Sequence, residues 1–424
     1  MSVRFLLTLL IIAFSFTDSG AQVQERIYME NIKTPRLHPY GNQQRLPVLI
    51  LGEGDRLELG FDDLEGGVRS YYYSYVLCDY NWNPVNLSPF DYVRGFTQNR
   101  IPTYRNSSIA LTRYTHYQAL LPDKGSVPTK SGNYILKVFL DGDTSKLAFT
   151  KRLVVVDPKA SLTAEVVQPF SPNQFNTHQK LRFTALIKGL NSFSAAQQVK
   201  VVILQNNRWD NAQRDITPTF VRGNSLEYNS ENIGIFPGGK EWRWLDIRSF
   251  RLQSDRIDSG HYGKTSTVLY AKPDIDRNGQ RYVYYPDLNG NFEVTTYESI
   301  NPYWQGDYAT VNFNFLPQES TEGMDIYLAS HFTNFELSEK WKMKPSEESG
   351  LLTLPVYLKQ GYYNYSYIAR DPRSGELRDL EGNYWETENR YTILLYYKGF
   401  TDRNDQLLGI AEINSRTDRP GLPF

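Results

Sequence analysis

The chain has 424 residues, which predicts two to four domains at the usual size of about 100–200 residues each. Its 46 lysines and arginines balance 47 aspartates and glutamates, and this balance disfavours both a nucleic-acid binder and a disordered polyanion. Aromatic residues make up 14% of the chain, and a single cysteine, Cys78, excludes an intrachain disulfide. Stability is therefore expected to come from packed cores that are rich in tyrosine.

Residues 1–21 have the pattern of a secretory signal peptide. Arg4 gives a positively charged start, residues 5–14 (FLLTLLIIAF) form an apolar run, and Ser19 and Ala21 are the small residues before the cleavage point. This apolar run is too short to cross about 30 Å of hydrocarbon as a helix. We therefore predict an exported chain that is soluble after cleavage.

Strand signals dominate the remaining sequence. Short runs rich in Val, Ile, Leu, Tyr and Phe alternate with Gly, Pro, Asn and Asp, and no long segment has a clean helical periodicity. Examples are residues 70–78 (SYYYSYVLC), 133–140 (NYILKVFL), 198–204 (QVKVVIL) and 391–398 (YTILLYYK). The pattern predicts an all-β chain of tandem immunoglobulin- or fibronectin-like antiparallel β-sandwich domains.

Two interruptions suggest where these domains begin and end. Pro158 follows a predicted strand that it cannot continue, and a new set of strands starts after residues 299–303 (SINPY). We predict an N-terminal sandwich at 22–157, a middle sandwich at 158–299, a C-terminal early-set immunoglobulin-like domain at 300–415, and a tail at 416–424.

A short internal echo links the first and third of these domains. Residues 132–138 and 361–367 each place a glycine two residues before a tyrosine, Tyr134 or Tyr363, that opens a predicted strand. In immunoglobulin-like sandwiches a tyrosine at such a corner bonds back to the preceding backbone.

Motifs for catalysis are lacking in the sequence. The five histidines are far apart, and neither a nucleophile elbow nor a phosphate-binding loop is present. Abundant carboxylates leave open a pair of the kind used by glycosidases. We predict no enzyme activity, no catalytic residues and no cofactor.

One segment resembles half of a calcium-binding loop. Residues 274–279 (DIDRNG) place Asp274, Asp276 and Asn278 at the spacing of the first ligands, but the twelfth position, where a bidentate glutamate is expected, is Tyr285. The same residues are common in hairpin turns. The turn is the preferred interpretation, and a calcium-stabilised structural module remains open.

Two segments concentrate the residue types that anchor protein interfaces. Residues 241–248 (EWRWLDIR) and 383–391 (NYWETENRY) combine Trp, Tyr and Arg, which dominate binding energy at such interfaces. The alternative is that these side chains belong to a core and its rim. The candidates for partner binding are Trp242, Arg243, Trp244, Tyr384, Trp385 and Arg390.

The order of several motifs resembles the periplasmic plug protein family of the type IX secretion system. The motifs are residues 75–82 (YVLCDYNW), 90–96 (FDYVRGF), 114–117 (YTHY), 131–134 (SGNY), 236–239 (FPGG) before 241–248, 306–308 (GDY), 361–365 (GYYNY) and 381–391 (EGNYWETENRY). They span essentially the whole chain after the predicted signal peptide.

The resemblance implies a non-enzymatic subunit in the periplasm. Such a plug binds the periplasmic mouth of a very large outer-membrane barrel, the translocon, and closes it while no cargo is engaged. It implies membrane contact only through that partner, and neither a nucleic acid nor a small-molecule substrate. The alternative function is an exported carbohydrate-binding or carbohydrate-cleaving sandwich protein, which exposed, coplanar tryptophan rings beside a cleft would favour.

Overall fold

The structure is a computed structural model that describes residues 25–189, 195–252 and 254–418. The predicted signal peptide and residues 419–424 of the predicted tail lie outside this part of the chain. The described chain is built almost entirely from strands in antiparallel sheets. The prediction of an all-β sandwich protein is confirmed.

The first sandwich ends at Val156, just before Pro158. Its strands are β1 (Ile32–Pro39), β2 (Val48–Ile50), β3 (Leu57–Asp63), β4 (Tyr71–Cys78), β5 (Val93–Gly95), β6 (Asn99–Arg100), β7 (Thr103–Asn106), β8 (Thr115–Leu121), β9 (Ser126–Pro128), β10 (Gly132–Leu140) and β11 (Leu147–Val156). One sheet has the order β1-β3-β8-β7 and faces a second with the order β2-β11-β10-β4-β6. Alternate residues such as Leu59, Phe61, Tyr73 and Leu136 meet between them.

The next part of the chain supplies one and a half sheets. It contains β12 (Ala160–Val167), β13 (His178–Ile187), the one-turn helix α1 (Ala195–Gln198), β14 (Val199–Gln205), β15 (Phe220–Arg222), β16 (Ser225–Tyr228) and β17 (Ile235–Pro237). Strands β12-β13-β16-β15 form one sheet, and β17 also pairs with β13. Strand β14 pairs with none of these.

A third sandwich follows. Its elements are β18 (Arg243–Asp246), β19 (Ile257–Tyr262), β20 (Thr267–Ala271), β21 (Phe292–Val294), α2 (Pro302–Gln305), β22 (Tyr308–Phe315), β23 (Asp325–Ala329), β24 (Lys344–Pro345), β25 (Leu352–Lys359), β26 (Gly361–Arg370) and β27 (Leu377–Asp379). One sheet is centred on the long strand β26, which pairs with β18, β21, β23 and β27, and the other has the order β19-β20-β22-β25-β24.

The last two strands return to the middle of the chain. Strands β28 (Arg390–Tyr397) and β29 (Gln406–Asn414) form a sheet with β14, and this sheet packs against β12 and β13 over a shared core. The sheets therefore do not follow the predicted boundary between 158–299 and 300–415. We propose instead that 158–240 and 388–415 form one sandwich, into which 241–387 is inserted.

The first and middle sandwiches are stacked through a second apolar layer. Cys78 and Ile135, on the outer face of the first sandwich, pack with Val202, Leu204 and Leu394 on the outer face of the β14-β28-β29 sheet. Strands in this stack are buried on both faces, so their sequences are continuous apolar runs without the alternation of a half-exposed strand. The Cys78 thiol is enclosed here, and burial raises its pKa to about 12.

The two predicted tyrosine corners are present. The Tyr134 hydroxyl donates to the Lys130 carbonyl at 2.8 Å, and the Tyr363 hydroxyl donates to the Lys359 carbonyl at 2.5 Å. Gly132 and Gly361 begin the strands that carry these tyrosines. A Cβ at Gly361 would lie 2.4 Å from the Glu293 carbonyl oxygen, so only glycine fits there.

Candidate functional site

Two of the predicted partner anchors lie inside the third sandwich. Trp242 is 9% exposed and packs edge-on against Phe335, with ring centroids 5.9 Å apart. Arg243 is buried, and its guanidinium donates to Asp274 at 2.8 Å and to Glu381 at 2.9 Å. Both side chains therefore serve packing within the chain.

The other four candidates are partly exposed. Trp244 packs its ring on Tyr285, and the Tyr384 hydroxyl donates to the Gln280 carbonyl. Trp385 packs against the middle core, while the backbone N–H of Arg390 donates to Asn206 at 2.9 Å. Residues 384–390 thus connect the third sandwich back to the middle one, and a partner contact at these four side chains stays a prediction.

The calcium-like segment is occupied by cations of the chain itself. One oxygen of Asp274 accepts from Arg243 and Arg256, and its other oxygen accepts from the Tyr365 and Tyr367 hydroxyls at 2.8 and 3.1 Å. The Asp274 carboxylate is thus satisfied by protein groups alone.

The rest of this segment is a turn. Asp276 accepts the Asn278 N–H at 2.7 Å, as in an Asx-turn, and it also pairs with Arg378 at 3.2 Å. Among the described residues, no cluster of three or more His, Cys, Asp or Glu side chains suits a metal ion. These contacts favour the turn interpretation.

Glu241 is the residue of the 241–248 segment with the most unusual chemistry. Burial raises the pKa of its carboxyl group to about 7. A raised pKa of this kind is typical of catalytic acids, but Glu241 is 1% exposed and accepts the Tyr282 hydroxyl at 2.5 Å. The group is sealed from a substrate and acts within the fold.

A buried ionic cluster joins the first sandwich to the third. Asp62 of β3 receives the Lys359 ammonium and, at 2.6 Å, the Tyr308 hydroxyl, both from the third sandwich. Nδ1 of His116 lies 2.6 Å from the other oxygen of Asp62, and its ring stacks on Tyr303. Burial alone would raise the pKa of Asp62, but Lys359 and His116 bring it below its usual value.

Sequence reasoning did not identify this cluster. Asp62, His116 and Lys359 are separated by up to 297 residues, and no local motif marks any of them. The only sequence signal is that a charged residue, Asp62 or Lys359, ends an otherwise half-apolar strand.

All three sandwiches meet around a cavity of about 550 Å³, which we call the junction cavity. Its wall comes from residues 25–47 and 151–152 of the first sandwich, 207–210 of the middle one, and 291–292 and 331–336 of the third. Six arginines and lysines face three carboxylates around it. The junction cavity is thus a basic, partly aromatic opening in the size range of small-ligand sites.

Comparison with known proteins gives a specific match for the first sandwich. Residues 32–157 match the family model described as "Type 9 secretion system plug protein 1st domain". This region is a type IX secretion plug domain. The predicted family is confirmed, and the matched region ends where the first sandwich ends.

The whole chain resembles one solved structure. A crystal structure of a hypothetical protein from Parabacteroides merdae aligns with a TM-score of 0.86 and 28% identity, over 92% of this chain and 98% of that one. A match to E. coli alpha-2-macroglobulin, with a TM-score of 0.16 and 10% identity, carries no argument. No curated protein matches the chain.

The plug-domain match connects the chain with type IX secretion and implies a location in the cell envelope. Across the described residues, helices with the length and apolar character to span a bilayer are absent.

Proposed function

We propose that this chain is a non-enzymatic plug subunit of the type IX secretion translocon. It closes the periplasmic mouth of the outer-membrane barrel when no cargo is engaged, and it touches the membrane only through that barrel. The observation that carries this proposal is the match of residues 32–157 to a plug protein domain.

The way the sandwiches are joined supports a body that blocks an opening. The first sandwich is fixed to the middle one by an apolar layer and to the third by the Asp62 cluster. Each contact is buried, so relative motion of the sandwiches would expose apolar surface or separate buried charges. A stiff body of this kind keeps its shape against a wide pore.

The alternative of a carbohydrate-binding protein has little support in the structure. All seven tryptophans lie in the described residues, and each is buried or partly buried. A flat platform of exposed, coplanar indole rings, which that function would need, is not formed by them.

Copurification from membranes tests the proposal directly. A tagged chain, extracted in mild detergent, should bring down one very large outer-membrane β-barrel protein, identified by mass spectrometry. Deleting the gene should increase uptake of a dye that the outer membrane normally excludes, while most secretion continues. Unchanged uptake together with no barrel in the eluate would contradict the proposal.

Single exposed phenylalanines can locate the docking end. Phe90 on the first sandwich and Phe170 on the middle one are both 77% exposed, so Phe90→Asp and Phe170→Asp are matched changes with little expected effect on folding. Because residues 32–157 carry the plug match, we expect Phe90→Asp to reduce barrel recovery and Phe170→Asp to leave it unchanged.

A further inference from the structure

Arg152 has an environment that its own fold does not explain. It is 9% exposed, and its guanidinium lies over the rings of Trp82 and Trp209, 4.8 and 5.5 Å from the ring centroids. Its buried Nε has no hydrogen-bond partner, and within the described residues the side chain has no acceptor. A buried guanidinium without acceptors is costly, because it has lost water and gained no hydrogen bond in return.

The carboxylates near Arg152 are used elsewhere. Glu25 accepts the backbone N–H of Arg152 at 2.8 Å and pairs with Lys151 at 3.3 Å. Asp210 is bound by Arg208 in a two-bond pair at 2.6 and 3.2 Å. The Arg152 guanidinium is therefore left over after the ion pairs around it have formed.

Arg36, on the same wall, is also without a carboxylate. Its guanidinium donates to the carbonyls of Phe292 and Gln43 and lies 4.0 Å from the centroid of the Phe292 ring. Burial lowers its pKa to about 10, which is the direction expected for a cation without a compensating anion. Both Arg36 and Arg152 line the junction cavity.

Oxyanions fit this arrangement best. A planar guanidinium held by aromatic rings presents its N–H groups as a fixed fork, which suits the two oxygens of a carboxylate or phosphate. The ring stacking reduces the freedom that Arg152 would otherwise lose on binding, and the low-dielectric wall strengthens the attraction.

We propose that the junction cavity is an oxyanion-binding site in which Arg152 holds a carboxylate or phosphate group. Such a ligand contacts all three sandwiches at once, so its binding stabilises their mutual arrangement. This inference goes beyond the proposed function and does not depend on it, because it concerns the chain alone.

Calorimetric titration of the full chain at low salt tests the site, since screening weakens such binding at higher ionic strength. The probes are inorganic phosphate, acetate, and a blocked peptide carrying two adjacent aspartates, with the matching diasparagine peptide as its neutral control. Binding of phosphate or acetate identifies a free anion as sufficient, and binding of the aspartate peptide alone identifies a carboxylate held on a chain.

Variants assign the binding to Arg152. Arg152→Met should weaken binding of the effective probe by about tenfold or more, the usual effect of losing a hydrogen bond to a charged group. The matched control is Arg105→Met, because exposed Arg105 also lies over an indole ring, that of Trp304, but outside the junction cavity. It should change binding less than twofold.

A second variant covers the case in which Arg152→Met fails to fold. Arg152→Lys keeps the charge and loses the fork, so it should bind several times more weakly than the wild type. The effective probe should also raise the melting temperature of the wild type and not that of Arg152→Lys. The proposal is overturned if no probe binds at millimolar concentration, or if the Arg152 variants bind as tightly as the wild type.

Discussion

The first sandwich meets its two neighbours through interfaces of opposite chemistry. Towards the middle sandwich it presents an apolar layer in which Ile135 and Leu394 are fully buried. Towards the third sandwich it presents Asp62, which is enclosed by Lys359 and hydroxyl and imidazole groups. The apolar layer gains free energy from area alone, whereas the ionic cluster is favourable only when every partner is in place.

This difference predicts how each interface fails. Truncating one side chain in the apolar layer leaves a cavity whose cost depends on how far its neighbours can relax. Removing one partner from the ionic cluster leaves a buried charge that no neighbour can neutralise. The second defect should be the larger one.

Lys359→Met tests the ionic interface and should have the largest effect. Lys359 is 1% exposed, and its loss leaves Asp62 buried without its cation, which should lower the free energy of unfolding by about 3–5 kcal/mol. Urea unfolding measures the change. The matched control is Lys342→Met, which breaks the partly exposed pair with Asp325 at 2.8 Å and should cost less than about 1 kcal/mol.

The double variant Asp62→Asn with Lys359→Met separates the buried charge from the lost contact. It removes both charges, so it should recover much of the free energy that Lys359→Met loses. If the double variant is no more stable than Lys359→Met, the cost does not come from an uncompensated charge, and the contrast between the interfaces fails.

Leu394→Ala tests the apolar interface. The side chain is fully buried between the two stacked sheets, and its truncation should lower the free energy of unfolding by about 3 kcal/mol. Leu186→Ala is the control, because Leu186 is exposed on β13, and a change of no more than about 0.5 kcal/mol is expected there. Equal losses at both positions would mean that the stack contributes little.

Acid should distinguish the two interfaces, with a smaller effect. The pKa of Asp62 is below its usual value of 3.8 in the folded chain, so the unfolded chain takes up this proton more readily. The stabilisation is complete above pH 3.8 and is lost as the pH falls through the folded pKa, and each unit of pKa difference contributes about 1.4 kcal/mol.

Unfolding measured between pH 2 and 6 checks this prediction. The double variant Asp62→Asn with Lys359→Met should lose less stability in acid than the wild type. Leu394→Ala keeps the cluster, so its curve should run parallel to that of the wild type. Parallel curves for all three proteins would rule out Asp62 as a source of the acid dependence.

The sequence was informative where a strand's neighbours leave a pattern along the chain. Runs such as 133–140 and 391–398 predicted strands, and Tyr134 and Tyr363 predicted corners, because each depends on contacts within a few residues. The plug family was also predictable from ordered motifs. The continuous apolar runs even carried the signal of burial on two faces.

Pairing over long distances could not be read in the same way. Strand β28 looks like any apolar strand, and nothing local shows that it joins β14 across an inserted sandwich. Arg243 was predicted as a partner anchor by residue type, yet its type serves equally well inside a protein when Asp274 and Glu381 are brought to it by the fold. Asp62 and Arg152 escaped notice because isolated charged residues have no local pattern.

Asp307→Ala should give the smallest and most local effect at the polar interface. The Asp307 carboxylate accepts the backbone N–H groups of Leu111 and Thr112, each at 3.0 Å, and so holds a loop of the first sandwich on the third. Its loss should lower the free energy of unfolding by only about 1 kcal/mol, because these are partly solvated hydrogen bonds. Amide hydrogen exchange at Leu111 and Thr112 should nevertheless become faster.

Asp143→Ala is the matched control for this change. Asp143 also accepts a backbone N–H at 3.0 Å, that of Ser145, but within its own loop, so exchange should increase at Ser145 and stay constant at Leu111. If Asp307→Ala left exchange at Leu111 and Thr112 unchanged, the loop would be held by the Ser108 N–H, which donates to the Trp304 carbonyl at 2.9 Å. The polar interface would then depend on backbone pairing in this loop, and charge would matter only at Asp62.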